Sequence, residues 1–144
     1  MVPATDLGLR GVVNRVLDRI WIGTGADFLQ PLGALGFVGA VDLRDASDLA
    51  TPVPVFRLAQ RDGDPWIESE VAAAYAFVYD GIQRGKVIVA CDAGMSRSAS
   101  MVVGFLVRCG WDAPSALAHV LSVRSVVRPK AAMLEAALRT AVVK

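Results

Sequence analysis

The stretch from Lys86 to Cys109 limits the possible folds more than any other part of the chain. It opens with a short run of apolar and β-branched residues, 86–90, which is typical of a buried strand. It closes with apolar residues at helical spacing over 98–109, followed by Gly110, which predicts a core helix that ends at a glycine. A buried strand that turns directly into a core helix indicates an α/β fold.

The rest of the chain predicts the other elements of this fold. Apolar runs predict strands at 12–13, 16–17, 20–22, 37–44 and 53–58, with the first three as edge strands. Helices are predicted over 27–35, 69–84, 112–124 and 129–142, the first interrupted near Pro31. We therefore expect a central, mostly parallel sheet of four or five strands with helices on both faces.

Length and charge predict one domain without a broad basic surface. The 144 residues are 54% hydrophobic, so we expect a single domain over 1–144, with 1–10 as a loose leader. A net charge of +1 makes nucleic acid and membranes unexpected partners. The two cysteines, Cys91 and Cys109, make no disulfide framework, and Cys109 is predicted to be a core thiol. Without a secretory signal pattern, a cytoplasmic location is expected.

The turn between the strand and the helix, residues 91–97, is called the reactive loop below. Backbone N–H groups that converge at a helix N-terminus bind anions, and Gly94 can take the positive φ that such a loop requires. Arg97 can bond two phosphate oxygens at once, and the same field favours the thiolate of Cys91, a nucleophile toward phosphorus. Ser98 can hydrogen-bond that thiolate. The candidate phosphate-binding residues are Asp92, Ala93, Gly94, Met95, Ser96 and Arg97.

Cys-x5-Arg-Ser, with glycine at the third x, resembles the signature loop of cysteine-dependent protein phosphatases, specifically the dual-specificity branch. The resemblance runs from about Arg19 to Arg139 and includes the opening strand Arg19-Ile20-Trp21-Ile22-Gly23-Thr24. It implies a protein-tyrosine-phosphatase-like fold and a phosphocysteine intermediate. It also implies an aspartic general acid on a separate loop, and neither a metal nor another cofactor.

Two carboxylates qualify as that general acid, Asp62 and Asp64, because both lie in the polar turn before the helix predicted over 69–84. Asp62 is the preferred candidate, since Asp64 directly precedes Pro65 and has a structural role as a turn or cap residue. Trp66, in the same turn, is predicted to be exposed, where it would stack on a substrate ring or cover the sheet edge.

Ala90 departs from the family pattern, which usually has histidine immediately before the cysteine. That histidine orients the loop and activates the thiol, so slower catalysis is expected here. The reactive loop has no lysine, whereas phosphoinositide phosphatases of this superfamily typically carry basic residues there. The expected substrates are therefore phosphorylated proteins or peptides bearing phosphotyrosine, phosphoserine or phosphothreonine, with phosphate, sulfate or vanadate also expected to occupy the site.

Three alternative hypotheses about the function remain. Ala90 is compatible with a catalytically weak phospho-binding pseudophosphatase, and a small phosphorylated metabolite is an alternative substrate. A different thiol enzyme, such as a rhodanese or an arsenate reductase, can share a short cysteine-to-arginine loop. Low-molecular-weight phosphatases and related reductases place that loop near the N-terminus, whereas here it lies two-thirds of the way along the chain. This chain order disfavours the third hypothesis.

Overall fold

A computed structural model describes residues 14–17, 19–24, 31–44, 53–58, 66–91, 96–123 and 129–141. Within these residues the strands are β1 (Asn14–Leu17), β2 (Ile20–Thr24), β3 (Phe37–Asp42), β4 (Val55–Arg57) and β5 (Lys86–Cys91). The helices are α1 (Glu68–Ile82), α2 (Arg97–Arg108), α3 (Ala113–Val123) and α4 (Ala131–Ala141). None of the helices in these residues is long and apolar enough to cross a membrane.

The five strands form one sheet in the order β1-β2-β5-β3-β4. β1 and β2 pair antiparallel, while the β2–β5, β5–β3 and β3–β4 pairs are parallel. The predicted α/β fold with a mostly parallel sheet is therefore confirmed. The prediction that residues 20–22 form an edge strand is wrong, because β2 lies between β1 and β5. The central position of β5 brings its C-terminal residue, Cys91, to the middle of the sheet edge.

Alternating side chains of β2, β3 and β5 divide the core into two parts. On one face, Ile22, Val41 and Val89 pack in a cluster that also contains residues of all four helices. On the other face, a smaller cluster contains Trp21 and Phe37, with Leu32 from the turn before β3. Helices were predicted on both faces, but the helices of the described residues pack on the first face alone.

The segment before β3 differs from its predicted helical structure. Residues 27–30 lie outside the described part of the chain, and 31–36 form turns rather than a helix. The amide of Leu35 donates to the Pro31 carbonyl at 3.1 Å, but Gly36 follows at φ 91°, a conformation that ends the turn and that glycine adopts readily. Leu32 is thereby buried against the second face of the sheet.

Gly104, in the middle of α2, allows α1 and α4 to pack closely on that helix. An added Cβ would lie 3.0 Å from the Ala137 carbonyl oxygen and would collide with the Tyr75 hydroxyl. That hydroxyl donates to the same carbonyl at 2.7 Å, and burial raises the pKa of Tyr75, so the donor stays protonated. Gly104 is therefore a point where the three helices pack closely together.

We expect Gly104→Ala to lower the free energy of unfolding by about 2 kcal/mol. Overpacking costs about 1–3 kcal/mol and a displaced hydrogen bond about 1, whereas the better helix propensity of alanine recovers only about 1. Urea denaturation measures the difference. Gly33→Ala is the control, because among the described residues its Cβ would meet only Val53 Cγ1, at an ordinary contact distance of 3.6 Å. Equal stability of Gly104→Ala and the wild type would contradict this packing.

Candidate active site

Cys91 is the last residue of β5, where it pairs with Thr24 of β2. Its side chain is on the face of the sheet that the helices cover, and the residue is 2% exposed. The Sγ atom lies 3.4 Å from the Ser98 Oγ atom, within hydrogen-bond distance for sulfur, and either atom can be the donor. The structure therefore brings together the thiol at the end of β5 and a hydroxyl in the first turn of α2.

Arg97 is the first residue of α2 and is only 5% exposed. Its Nη1 atom donates to the backbone carbonyl of Leu43 at 3.0 Å, just beyond the end of β3. The guanidinium is therefore held at the sheet edge and is not turned out to bulk solvent. A guanidinium has five N–H donors in a planar arrangement, and this bond uses one of them.

Ser96, the residue before α2, connects the reactive loop to α4. Its hydroxyl makes no capping bond within α2; it accepts from the Lys130 amide at 3.1 Å and donates to Met133 Sδ at 3.8 Å. Its carbonyl accepts from the Ser100 amide at 2.9 Å. The C-terminal end of the reactive loop is thus attached to the start of α4 as well as to α2.

A buried ion cluster, which the sequence patterns do not single out, lies beside these residues. Asp42 is 0% exposed, and its carboxylate pairs with Arg44 at 2.9 Å and with Arg57 at 3.3 Å. The three residues, called the Asp42 cluster below, come from the ends of β3 and β4. An aspartate at the end of an otherwise apolar strand, two residues before an arginine, was the available signal in the sequence.

Several predicted site residues lie outside the described part of the chain, and their roles stay predictions. They are both candidate acids, Asp62 and Asp64, and four residues of the reactive loop, Asp92, Ala93, Gly94 and Met95. The predicted leader at 1–10 also lies outside it. The catalytic roles predicted for Cys91, Arg97 and Ser98 stay predictions too, although these three side chains are described.

Two predictions about exposure are wrong. Trp66 is 3% exposed and belongs to the same core cluster as Leu43 and Cys91, so it is not free to stack on a substrate ring. Cys109 is exposed rather than a core thiol, because the buried part of α2 ends at Leu106 and the chain then reaches the surface. The two thiols are at opposite ends of α2, which at 1.5 Å per residue separates them by roughly 20 Å.

The chain is similar to a curated protein and to many solved structures, of which three are described here. Mouse protein phosphatase Slingshot homolog 3 is 40% identical over 57 residues. That match takes in 38% of this chain but only 9% of the Slingshot protein, so the chain spans a small part of this relative's length. No family model matches the chain.

The similar structures match nearly the whole chain. Human DUSP28 superposes with a TM-score of 0.82 at 19% identity, over 92% of this chain and 94% of its own. A mouse putative dual specificity phosphatase complexed with zinc tungstate has a TM-score of 0.76 at 22% identity, over 97% and 90% of the two chains. PTPMT1 in complex with PI(5)P has a TM-score of 0.76 at 17% identity, over 90% and 94%.

The chain therefore has the fold of the dual-specificity phosphatases. The predicted protein-tyrosine-phosphatase-like architecture is confirmed, and so is the predicted resemblance to that branch of the cysteine-dependent phosphatases. At identities below a quarter, the similar structures establish the fold and leave the reaction to be argued from the site.

Proposed function

We propose that this protein is a metal-independent cysteine phosphatase that hydrolyses phosphate monoesters on proteins. The observation that carries the proposal is the arrangement at the end of β5. The Cys91 thiol lies 3.4 Å from the Ser98 hydroxyl, and Arg97 is held at the same sheet edge by the Leu43 carbonyl. Further support comes from the fold and from the zinc tungstate complex of the mouse phosphatase, since tungstate is a tetrahedral oxyanion like phosphate.

In the first step, the Cys91 thiolate attacks phosphorus. The Sγ–P bond forms, the bond from phosphorus to the ester oxygen breaks, and Asp62 donates a proton to the leaving oxygen. Arg97 and the amides of the reactive loop stabilise the charge on the phosphoryl oxygens. The products of this step are the dephosphorylated alcohol or phenol and phosphocysteine.

In the second step, water attacks the phosphocysteine. Asp62, now a carboxylate, accepts a proton from that water, the P–O bond forms, and the Sγ–P bond breaks. The Ser98 hydroxyl donates to Sγ as negative charge returns to it, which makes the thiolate a better leaving group. Inorganic phosphate then leaves, and the enzyme regains its starting protonation state.

Protein substrates are proposed because the reactive loop lacks lysine. Extra phosphates on a lipid headgroup would need additional cations in the loop. The carboxylate of Asp92 would instead repel those phosphates. PTPMT1, a structure of the same fold, was crystallised in complex with PI(5)P, so a phosphoinositide is the alternative to compare directly.

Turnover of p-nitrophenyl phosphate in EDTA, and its inhibition by vanadate in a separate assay without EDTA, test the proposal. The expected result is metal-independent hydrolysis that vanadate blocks. Phosphopeptides should be hydrolysed faster than soluble PI(5)P, and the reverse order would replace the protein substrate with the lipid. Vanadate binding with negligible turnover would instead make the protein a phospho-binding module.

The identity of the general acid is tested with a matched pair, Asp62→Asn and Asp64→Asn. We expect Asp62→Asn to lower kcat by about 10²-fold, in the range of general acid catalysis, while Asp64→Asn stays near the wild-type rate. The loss in Asp62→Asn should be smaller for p-nitrophenyl phosphate than for phosphoserine peptides, since p-nitrophenolate needs less protonation to leave. A larger loss in Asp64→Asn would reverse the assignment.

A further inference from the structure

The turn that follows β3 connects the strand of the nucleophile to the phosphate-binding arginine. The Leu43 amide donates to the carbonyl of Ala90 on β5 at 2.9 Å, and the Leu43 carbonyl accepts from Arg97 Nη1 at 3.0 Å. Leu43 therefore contacts the residue just before the reactive loop, Ala90, and the last residue of that loop, Arg97. The Leu43 carbonyl is thus one of the groups that hold the Arg97 guanidinium at the sheet edge.

Asp42 holds this turn in place. Its Oδ1 atom accepts from the Arg44 amide at 3.1 Å and from Arg44 Nε at 2.9 Å, and its Oδ2 atom accepts from Arg44 Nη2 at 3.0 Å. These bonds link the residues on either side of Leu43 and stabilise the turn over 42–44. The Asp42 carbonyl also accepts from the Leu58 amide at 3.0 Å, which attaches the turn to the chain beyond β4.

The Asp42 carboxylate is buried, and its charge is compensated by two arginines. A fully buried carboxylate is costly unless cations and hydrogen bonds compensate it. Here Arg44, 17% exposed, and Arg57, 32% exposed, both reach it. Two partly buried guanidinium groups on one buried carboxylate make a rigid arrangement at the edge of the sheet where Cys91 lies.

The pairing of β3 with β5 places Asp42 beside Ala90, the residue that departs from the family pattern. Asp42 is the direct partner of Ala90 in the β3–β5 ladder. Ala40 and Ala90 belong to the second face of the sheet, opposite the face of Cys91, and Asp42 alternates onto the same face as Ala40. The carboxylate thus stands beside the residue where the resembled phosphatases have a loop-orienting histidine.

We infer that Asp42 is a positioning residue for Arg97 and that it acts through the Leu43 carbonyl. Asp42 does not touch the substrate. It fixes the 42–44 turn, which fixes the acceptor that holds the guanidinium of Arg97. The inference rests on the proposed role of Arg97 in phosphate binding.

The test compares Asp42→Asn with Tyr75→Phe, which removes a buried hydrogen bond to the Ala137 carbonyl away from the site. Asp42→Asn should lower kcat/KM for a fluorogenic phosphate ester about tenfold and weaken vanadate binding by a similar factor, because a misplaced guanidinium binds both less well. Tyr75→Phe should lower the melting temperature and leave kcat/KM and vanadate affinity unchanged. If Asp42→Asn does not fold, Arg44→Lys keeps the charge but loses the two-pronged contact, and should shift both quantities in the same direction.

A double-mutant cycle separates positioning from general destabilisation. In an Arg97→Ala background, Asp42→Asn should change kcat/KM less than about twofold, since the group that it positions is gone. A full tenfold loss in that background, or wild-type vanadate affinity in folded Asp42→Asn, would overturn the inference. Vanadate affinity measured by calorimetry needs no turnover, so a wild type that binds vanadate without hydrolysis would refute the proposed function while still deciding the role of Asp42. Absence of vanadate binding by the wild type would overturn both.

Discussion

Replacing Cys91 with serine is expected to abolish phosphate ester hydrolysis while leaving the protein folded. Serine is nearly the same size as cysteine and keeps a hydrogen-bonding atom close to Ser98 Oγ, which lies 3.4 Å from the sulfur in the wild type. Its hydroxyl is not ionised at neutral pH and makes a poor leaving group in the second step. Loss of the nucleophile should lower kcat by about 10³-fold or more.

The matched control for this variant is Cys109→Ser. Cys109 is the other cysteine of the chain and is exposed at the far end of α2, so its substitution should leave kcat unchanged. Steady-state kinetics with p-nitrophenyl phosphate measures both variants, and circular dichroism verifies their fold. Substantial hydrolysis by folded Cys91→Ser protein would contradict covalent catalysis by this thiol.

Replacing Arg97 should have the next largest effect. Arg97→Ala removes a preorganised cation from the charge that develops on the phosphoryl oxygens, and we expect kcat/KM to fall by about 10³-fold. Arg97→Lys keeps the charge, but a lysine ammonium cannot bond the Leu43 carbonyl and two phosphate oxygens with the same planar geometry. A loss of about 10²-fold is expected for that variant.

Arg108, at the opposite end of the same helix, is the control for this pair. It is exposed and donates to the Thr140 carbonyl at 3.2 Å. Arg108→Ala and Arg108→Lys should both have the wild-type kcat/KM, while the two Arg97 variants should differ from each other. If Arg97→Lys and the wild type were equally active, bidentate phosphate binding by Arg97 would be excluded.

Local sequence patterns predicted the central strand and its helix well. The apolar run at 86–90 and the helical spacing at 98–109 correspond closely to β5 and α2, because both elements are buried along nearly their whole length. The helices predicted at 69–84 and 129–142 also correspond to α1 and α4. For these elements, hydrophobic periodicity and local propensity both favour the structure that forms.

Tertiary contacts explain what the patterns did not predict. The burial of Trp66 and the exposure of Cys109 depend on where the sheet and α2 end, and no local pattern reports that. The Asp42 cluster forms between neighbouring strands, β3 and β4, whose pairing sets Asp42 beside Arg57. A buried aspartate is also contrary to the usual composition of a core strand, so its partners become evident only from the pairing of the strands.

The most direct measurement of the central claim is the detection of phosphocysteine at Cys91. Enzyme mixed with p-nitrophenyl phosphate is quenched within the first turnover and digested, and the peptide that contains Cys91 is examined by mass spectrometry. The Ser98→Ala variant should give a higher yield of phosphocysteine, because it lacks the hydroxyl that assists the departure of the thiolate. We predict one phosphoryl group on the Cys91 sulfur that forms and decays at the rate of turnover. Hydrolysis that proceeds with Cys91 unmodified, or a phosphoryl group on another residue, would contradict the account.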